Sequence, residues 1–565
     1  MKITRRQIVR SSKKMDVHPV LERVYLGRGL TERQDLSIKN LLHPRDLTGI
    51  VPAVKLLADV IKSGEGIVIV GDFDADGATA CAVGVKALQL MGAKNVGYVI
   101  PNRLIHGYGL TIPIVEKVKE MSPGLLITVD SGISNVEEVA IARNLGIRVL
   151  ITDHHIPGAA LPPANAIINP NRRDDKFKSK NLAGVGVIFY VMMALRAQLR
   201  ATGWFNLGRP EPNLTALLDL VALGTIADVV PLDHNNRILV QKGLQRIRSG
   251  NACPGVSAIL EMAGCNHQQL VATDLGFKIG PRLNAAGRMD DMAVGVRCLL
   301  AESREQALPL AKELNDFNLS RRSVESKMKD QALENLESIQ MDGDLPWGLA
   351  LFKEGWHPGV IGILASRIKD KYHRPVIAFA NGDNSTLRGS MRSIPGLHAR
   401  DALDSLARQH PGLILAFGGH AMAAGLKIPK NKFDFFSKEF DKEVRCRLKP
   451  EDLSEEILSD GEINPKDLTL SLAEEIRAAG PWGQGFPEPI FDGIFQCVEA
   501  KSLNGLHTRL KLSVGGIDPI GAIAFNCTKD AQVLSGASLH IAYRLDVNEY
   551  QGKKSLQLNV QYIMQ

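Results

Sequence analysis

Aromatic side chains make up only 5% of the 565 residues, too few for an extensive base-stacking platform. Cysteine is sparse too. Cys81, Cys253, Cys265, Cys298, Cys446, Cys497 and Cys527 are odd in number, scattered and never spaced as CxxC. That pattern argues against a disulfide framework and a cysteine-ligated zinc, and predicts reduced thiols in the cytoplasm. No apolar run approaches the length of a membrane span, so no membrane association is expected. A Walker loop, a dinucleotide fingerprint and a Ser-His-Asp arrangement are all missing; Gly71 to Gly77 lacks the lysine and spacing of a phosphate loop.

What is present begins with charge. The formal net charge of +7 fits a polyanionic partner without identifying one. Met1 to Met15 is basic with no apolar signal core after it, and reads as a solvated or nucleic-acid-touching arm. The length suggests about three or four domains, and 45% hydrophobic residues can supply their cores.

One stretch organises the rest: Gly66-Ile-Val-Ile-Val-Gly-Asp-Phe-Asp-Ala-Asp-Gly77. Ile67 to Val70 reads as a buried parallel strand. Asp72, Asp74 and Asp76 follow at i, i+2, i+4. In extended chain that spacing puts three carboxylates on one side, with a helix expected from Thr79 to Leu90. Two more strands end the same way. Leu125 to Val129 delivers Asp130, and Val149 to Thr152 delivers Asp153, His154 and His155. Strands and helices alternate from here to Ile168, the pattern of a doubly wound α/β sheet, in which ligands sit at the carboxyl ends of strands. Asp228 stands among Ile226, Ala227, Val229 and Val230 and needs a partner for its charge. So many like charges in one crevice call for hard divalent cations.

Arg282, in Phe277-Lys-Ile-Gly-Pro-Arg-Leu-Asn-Ala-Ala-Gly-Arg288, is expected on an acid-free loop that recognises phosphate. Leu310 to about Ile339 contains neither glycine nor proline, and Leu310, Leu314, Phe317, Val324 and Met328 share a face. This predicts one helix of about 30 residues, about 45 Å long, ended at Gly343 and Pro346. A smaller α/β unit follows, with Ser390 and Arg392 able to reach one phosphate together and His420 in a Gly-Gly-His turn. Beyond Gly480 to Pro489, five strand patterns predict a small barrel of the OB type. The expected boundaries are 1–45 for the arm, 46–300 for the doubly wound sheet, 301–345 for the long helix, 346–455 for the second α/β unit and 456–565 for connector and barrel.

With these residues assembled, the chain resembles the DHH phosphoesterase superfamily and, within it, the RecJ single-strand DNA exonucleases. The resemblance rests on Asp153-His-His155, Asp74-Ala-Asp-Gly77, Val129-Asp-Ser-Gly132, Gly224-Thr-Ile-Ala-Asp228, Arg282-Leu-Asn-Ala-Ala-Gly287 and Gly418-Gly-His-Ala-Met-Ala-Ala-Gly425, in order, and covers about residues 50 to 565. It implies a catalytic DHH domain, a DHH-associated domain and a C-terminal OB-fold. It implies two Mn²⁺ or Mg²⁺ ions on Asp74, Asp76, Asp130, His154 and Asp228, with Asp130 and Asp228 bridging. His155 would face the scissile phosphate, and Arg103, Arg282, Ser390 and Arg392, with His420, would hold substrate phosphates. Many superfamily members carry a ligand histidine where this chain has Val70; Asp72 is the residue able to compensate.

The implied activity is 5′→3′ digestion of single-stranded DNA to 5′-mononucleotides in recombination and repair, with a single-strand-binding protein and a repair helicase as partners. Two other readings stay open here. One is a phosphoesterase for pyrophosphate, cyclic dinucleotides or short oligonucleotides, separated by its activity on pyrophosphate. The other is a non-catalytic repair scaffold, which missing ligands would mark.

Overall fold

A computed structural model describes residues 2–564 except 13, 104, 108, 207, 342–344, 384, 526, 528–530 and 551. The chain forms two compact units, residues 5–317 with 458–565, and residues 1–4 with 318–457.

The larger unit is built on a five-stranded parallel sheet: β1 (Ile67–Val70), β2 (Val96–Val99), β3 (Leu125–Val129), β4 (Arg148–Thr152) and β5 (Ala166–Ile168). Their spatial order is β2-β1-β3-β4-β5. The chain reverses direction across the sheet between β1 and β3, which opens a crevice at the carboxyl ends of those strands. All residues of β1 and β3 are buried, as unbroken β-branched and leucine runs require when helices cover both faces.

Helix α1 (Ala75–Leu90) starts four residues earlier than its sequence suggests, because Asp74 caps it. Asp74 Oδ1 accepts from the Asp76 and Gly77 amides at 2.9 and 3.0 Å, so Asp76 lies in the first helical turn instead of on extended chain. Helix α2 (Gly184–Ala201) packs on α1. It is long and apolar enough to cross a membrane, contrary to the reading of the sequence, but 61% of it is buried inside the protein. Helix α3 (Leu218–Ala227) ends at Asp228, and α4 (His234–Arg248) follows. Arg282 lies on helix α5 (Gly280–Met289) and not on a loop; Pro281 sits in its first turn, where its missing N–H costs nothing.

Within the basic N-terminal stretch, Gln7 to Arg10 are exposed, as a solvated arm requires, and ion pairs hold the chain on either side of them. Arg28 pairs with Asp460 at 2.7 Å with both side chains buried, and Arg5 pairs with Asp492. The barrel strands Phe491–Leu503, His507–Ser513, Ile520–Ala524, Ser538–Tyr550 and Lys553–Met564 close on one another, and their inner residues share one hydrophobic core with the parallel-sheet helices.

Helix α6 (Arg304–Met341) is longer than expected and takes Pro309 inside it. The expected stop at Gly343 lies outside the described residues. Its buried stripe is Ala307, Ala311, Leu314, Asn318, Arg321, Glu325, Met328, Ala332 and Leu336; Leu310, Phe317 and Val324 are only half-buried. Polar residues can occupy the middle of the stripe because they satisfy one another. Arg321 donates to Glu325 at 2.5 Å and to Asn318 at 2.6 Å, and Arg367 donates to Glu325 at 2.8 Å.

The smaller unit has its own five-stranded sheet, in the order Leu349–Phe352, Val376–Asn381, Thr386–Arg392, Ala423–Pro429, Ala416–Gly419. Only the first pair is parallel. Phe379, Phe436 and Phe440 centre its core. None of the seven cysteines is paired.

Candidate metal centre

Four segments converge at the carboxyl end of the parallel sheet. The β1–α1 turn brings Asp72, Asp74 and Asp76; β3 ends in Asp130; β4 ends in Asp153, His154 and His155; α3 ends in Asp228. Three groups of donor atoms each lie within 4.8 Å of one another: Asp72, Asp74 and Asp130; Asp76, His154 and Asp228; and Asp130, His154 and His155. His154 Nε2 stands 3.1 Å from Asp130 Oδ1 and 3.5 Å from Asp228 Oδ2.

The backbone is bent to make this fit. Asp130 has φ of 59° and Val229, next to Asp228, has φ of 61°. Left-handed conformations of non-glycine residues are costly and concentrate at functional sites. Helix α2 begins with glycine because a Cβ at position 184 would come within 2.5 Å of Asp130 Cβ. Its first amides fix Asp76: Gly184 N donates to Oδ2 at 2.6 Å and Val185 N to Oδ1 at 2.9 Å.

Burial of like charges dominates the electrostatics. Burial and the neighbouring Asp74 charge push Asp72 well above the ordinary carboxylate range. Burial and Asp76 do the same to Asp130 and Asp228. Asp76 is pushed up to about 7 by burial and Asp74, against the two amides that hold it. Asp72 Oδ1 and Asp130 Oδ1 are buried and accept no hydrogen bond among the described residues. Buried oxygens without donors, in a set of carboxylates with one or two imidazoles, fit hard divalent cations such as Mn²⁺ or Mg²⁺.

Asp153 has a different task. Its Oδ1 accepts from the His154 amide at 2.7 Å, the His155 amide at 3.1 Å and His155 Nδ1 at 2.7 Å; Oδ2 accepts from Ile133 N at 3.0 Å. Burial alone would raise its carboxyl; the His155 hydrogen bond and charge outweigh burial and hold it below its ordinary value. His155 responds in kind. Burial lowers it, but Asp153 and the nearby acids raise it to about 9, so it is an imidazolium at neutral pH.

Several supporting residues escaped the sequence reading. Asn169 and Asn171, just beyond β5, donate to the carbonyls of His155 and His154. Asn284 on α5 accepts from Ala75 N at 2.8 Å and ties that helix to the first acidic turn. The Asn-Pro-Asn sequence at a fourth strand end was the available signal for the first two.

The proposed phosphate holders fall into two sets. Arg103, at the surface, stacks on Phe73 with Cζ 5.1 Å from the ring centre. Arg282 donates from Nε to Asn315 Oδ1 at 3.1 Å and from Nη1 to the Lys278 carbonyl. Ser390, Arg392 and His420 belong to the smaller unit. Ser390 and Arg392 share one side of an extended strand, and Arg392 Nη1 donates to Ser390 Oγ at 3.0 Å. A Cβ at Gly362 would approach both Arg392 Nη2 and Ser390 Oγ to 3.0 Å. His420 occupies the turn after Gly419, its amide donating to Ala423 O at 2.8 Å.

A parallel sheet with acids and a DHH turn at its strand ends defines a metal-dependent phosphoesterase site. The chain matches the family model of the DHH family N-terminal domain over residues 66–225, the DHHA1 domain over 347–445 and the RecJ OB domain over 459–562. It is 48% identical over 554 residues to the single-stranded-DNA-specific exonuclease RecJ of Escherichia coli, covering 97% of this chain and 96% of that relative. The solved structure of Thermus thermophilus RecJ in complex with Mn²⁺ superposes with a TM-score of 0.82 at 30% identity, over 97% of this chain and 76% of that one. The Mg²⁺ complex from the same organism gives 0.76 at 28% identity, over 97% and 75%. The chain belongs to the RecJ family.

Proposed function

We propose that this chain is a single-stranded-DNA-specific exonuclease that digests 5′→3′ to 5′-mononucleotides, with two Mn²⁺ or Mg²⁺ ions held by Asp72, Asp74, Asp76, Asp130, His154 and Asp228. The observation that carries the proposal is the convergence of five buried or half-buried aspartates and His154 from four segments, in a chain nearly half identical to RecJ over almost its whole length.

When bound, the ions act as Lewis acids on a phosphodiester and supply a water acidic enough to be hydroxide near neutral pH. The chain's own residues do the rest. Asp153 Oδ1 holds the Nδ1 proton of His155 and keeps the ring cationic. That imidazolium offsets negative charge growing on the phosphoryl oxygens. Asp76, pinned by the first amides of α2, fixes one side of the cluster. Arg103, Arg282, Ser390, Arg392 and His420 bind substrate phosphates.

Single-stranded DNA is the partner, with the OB barrel as its second contact surface. The barrel strands carry Tyr543, Arg544, Tyr550, Lys553 and Lys554, a mixture that by sequence suits a strand-tracking groove. Tyr543, however, is fully buried, and Arg544 pairs with Glu488 at 2.7 Å. The side chain of Tyr550 lies outside the described residues. Lys553 and Lys554 remain exposed. A single-strand-binding protein and a repair helicase are the protein partners in this reading. The unpaired cysteines support a cytoplasmic setting. The test is the product pattern from 5′-labelled and 3′-labelled single strands with Mn²⁺: mononucleotides from the 5′ end support the proposal, and release from the 3′ end overturns its polarity.

A further inference from the structure

Arg237 is a buried cation without a counter-charge. It lies in the first turns of α4, only 3% exposed. A positive charge at a helix N-terminus gains nothing from the helix dipole. Its guanidinium stacks on Phe486, with Cζ 3.8 Å from the ring centre, and Nη1 donates to Gln34 Oε1 at 2.7 Å. Nε is buried without an acceptor, and no carboxylate pairs with Arg237 among the described residues. Burial lowers the group to about 10, and the neighbour that opposes this is the Tyr25 hydroxyl. It is therefore still charged at neutral pH.

This cation lines a cavity of about 360 Å³ within the larger unit. Tyr25, Arg33, Gln34, Asp35 and Gln241 line it as well. Arg33 stands exposed at the mouth. The one carboxylate is turned to its own loop: Asp35 accepts from the Ser37 amide and hydroxyl, both at 2.9 Å, and lies 3.6 Å from Lys39 Nζ. Two guanidiniums, two amides and a phenol thus surround a space whose only acid is engaged elsewhere. None of these residues belongs to the metal centre.

We propose that this cavity binds a small phosphate monoester, with Arg237 and Arg33 on the phosphate group. A guanidinium fork matches phosphate oxygens in pairs, and the volume suits ligands up to about the size of a nucleotide. An anion here supplies the charge that Arg237 lacks, which a neutral ligand does not.

The experiment uses the full chain loaded with Mg²⁺, with inorganic phosphate and deoxyadenosine monophosphate as probes, read by calorimetry and by the thermal midpoint. Both probes should bind and raise the midpoint. Gln34→Glu places a carboxylate beside Arg237 and removes the need for an external anion. It should raise the midpoint in phosphate-free buffer and weaken phosphate binding at least about tenfold. Arg33→Gln, at an exposed site that leaves folding intact, should weaken it several-fold. Both variants should hydrolyse single-stranded DNA as the wild type does. For the part of the binding that the two variants weaken, tighter binding of the nucleotide than of phosphate identifies a nucleotide as the ligand of this cavity; equal binding identifies phosphate alone. A wild-type chain that binds neither probe overturns the proposal. So does binding that both variants retain, because the phosphate then sits elsewhere. Loss of hydrolysis would bear on the exonuclease reading and leave this result untouched.

Discussion

Gly184 leaves no space for a side chain against Asp130: a Cβ at position 184 would stand 2.5 Å from Asp130 Cβ and 2.7 Å from its Oδ1. The same glycine's amide holds Asp76. Gly184→Ala must therefore move the start of α2, the end of β3, or both, and two acids of the cluster move with them. Activity should fall roughly 10–100-fold, the usual cost of disturbing a partner of a metal ligand, with Mn²⁺ required at higher concentration. Hydrolysis measured across a Mn²⁺ titration checks this; an unchanged titration would show that the contact is slack.

Asp130 and His154 lie at the centre, each belonging to two of the three donor groups. Asp130→Asn or His154→Ala should cost more activity than any outer partner, while the fold and much of the single-strand binding remain. In metal-free buffer near neutral pH Asp130→Asn should melt higher than the wild type, because burial and the neighbouring acids make the carboxyl take up a proton on folding, and the amide needs none. Near wild-type turnover by either variant rules out the ligand assignment.

The parts of this architecture legible in the sequence are those encoded locally. Apolar runs ending in acids gave three strand ends of the sheet, because a parallel strand is buried on both faces and its carboxyl end opens on the crevice. The start of α1 was misread because Asp74 does two jobs, donor group and helix cap, and the alternating acids imitated an extended chain. The middle of α6 was misread because its buried stripe carries Asn318, Arg321 and Glu325, whose mutual bonding no apolar periodicity reveals. The buried Tyr543 shows the same limit in the barrel: the closure of the five strands decides which face of a strand meets water. A chain ending near Ser459 would lose more than a DNA-contacting barrel. Barrel and sheet share one core, so removing the barrel strips packing from the helices as well as any DNA contact.

The carboxylates set a pH dependence for the metal-free chain. Asp72, Asp130 and Asp228 lie above their ordinary range, and Asp76 is near 7. A folded-state value above the unfolded one means that the folded state binds more protons. Stability is then highest below about pH 4 as far as these groups are concerned, and falls as pH rises through about 7. Mn²⁺ replaces the protons, so its stabilising effect should grow over the same range. Thermal midpoints with chelator and with Mn²⁺, from about pH 5 to about pH 8, test this; a difference that stays flat with pH would contradict it.

Asp153→Asn should separate positioning from ligation. It leaves every assigned metal ligand in place but removes the charge that raises His155 to about 9. The His155 proton is then lost at lower pH, and the alkaline limb of the activity profile should move down by about one pH unit or more. Loss of activity with an unmoved limb would mean that His155 does not act as an imidazolium.

The last prediction concerns the end of the DNA. In the smaller unit, Ser390 Oγ and Arg392 Nη1 lie 3.0 Å apart on one side of a strand, and Gly362 approaches both so closely that a Cβ would touch them. Gly362 lies in the first turn of the helix Ile361–Tyr372, whose amides add positive character there. In the proposed function this hydroxyl and guanidinium, beside the start of a helix, hold a phosphate dianion. A terminal phosphate carries more charge than an internal diester, so the holder should favour a 5′-phosphorylated end over mid-chain DNA. Arg392→Ala should therefore reduce the preference for 5′-phosphate over 5′-hydroxyl strands about tenfold or more, in line with one charge-assisted pair. Overall binding should fall less, because one side chain supplies only a part of the electrostatic attraction for a strand of many phosphates. Slow hydrolysis should persist, since no assigned metal ligand changes. The comparison needs three substrates: 5′-phosphorylated, 5′-hydroxyl and circular single strands. Efficient cutting of the circle by the wild type would falsify end anchoring, because a circle offers no terminus to hold.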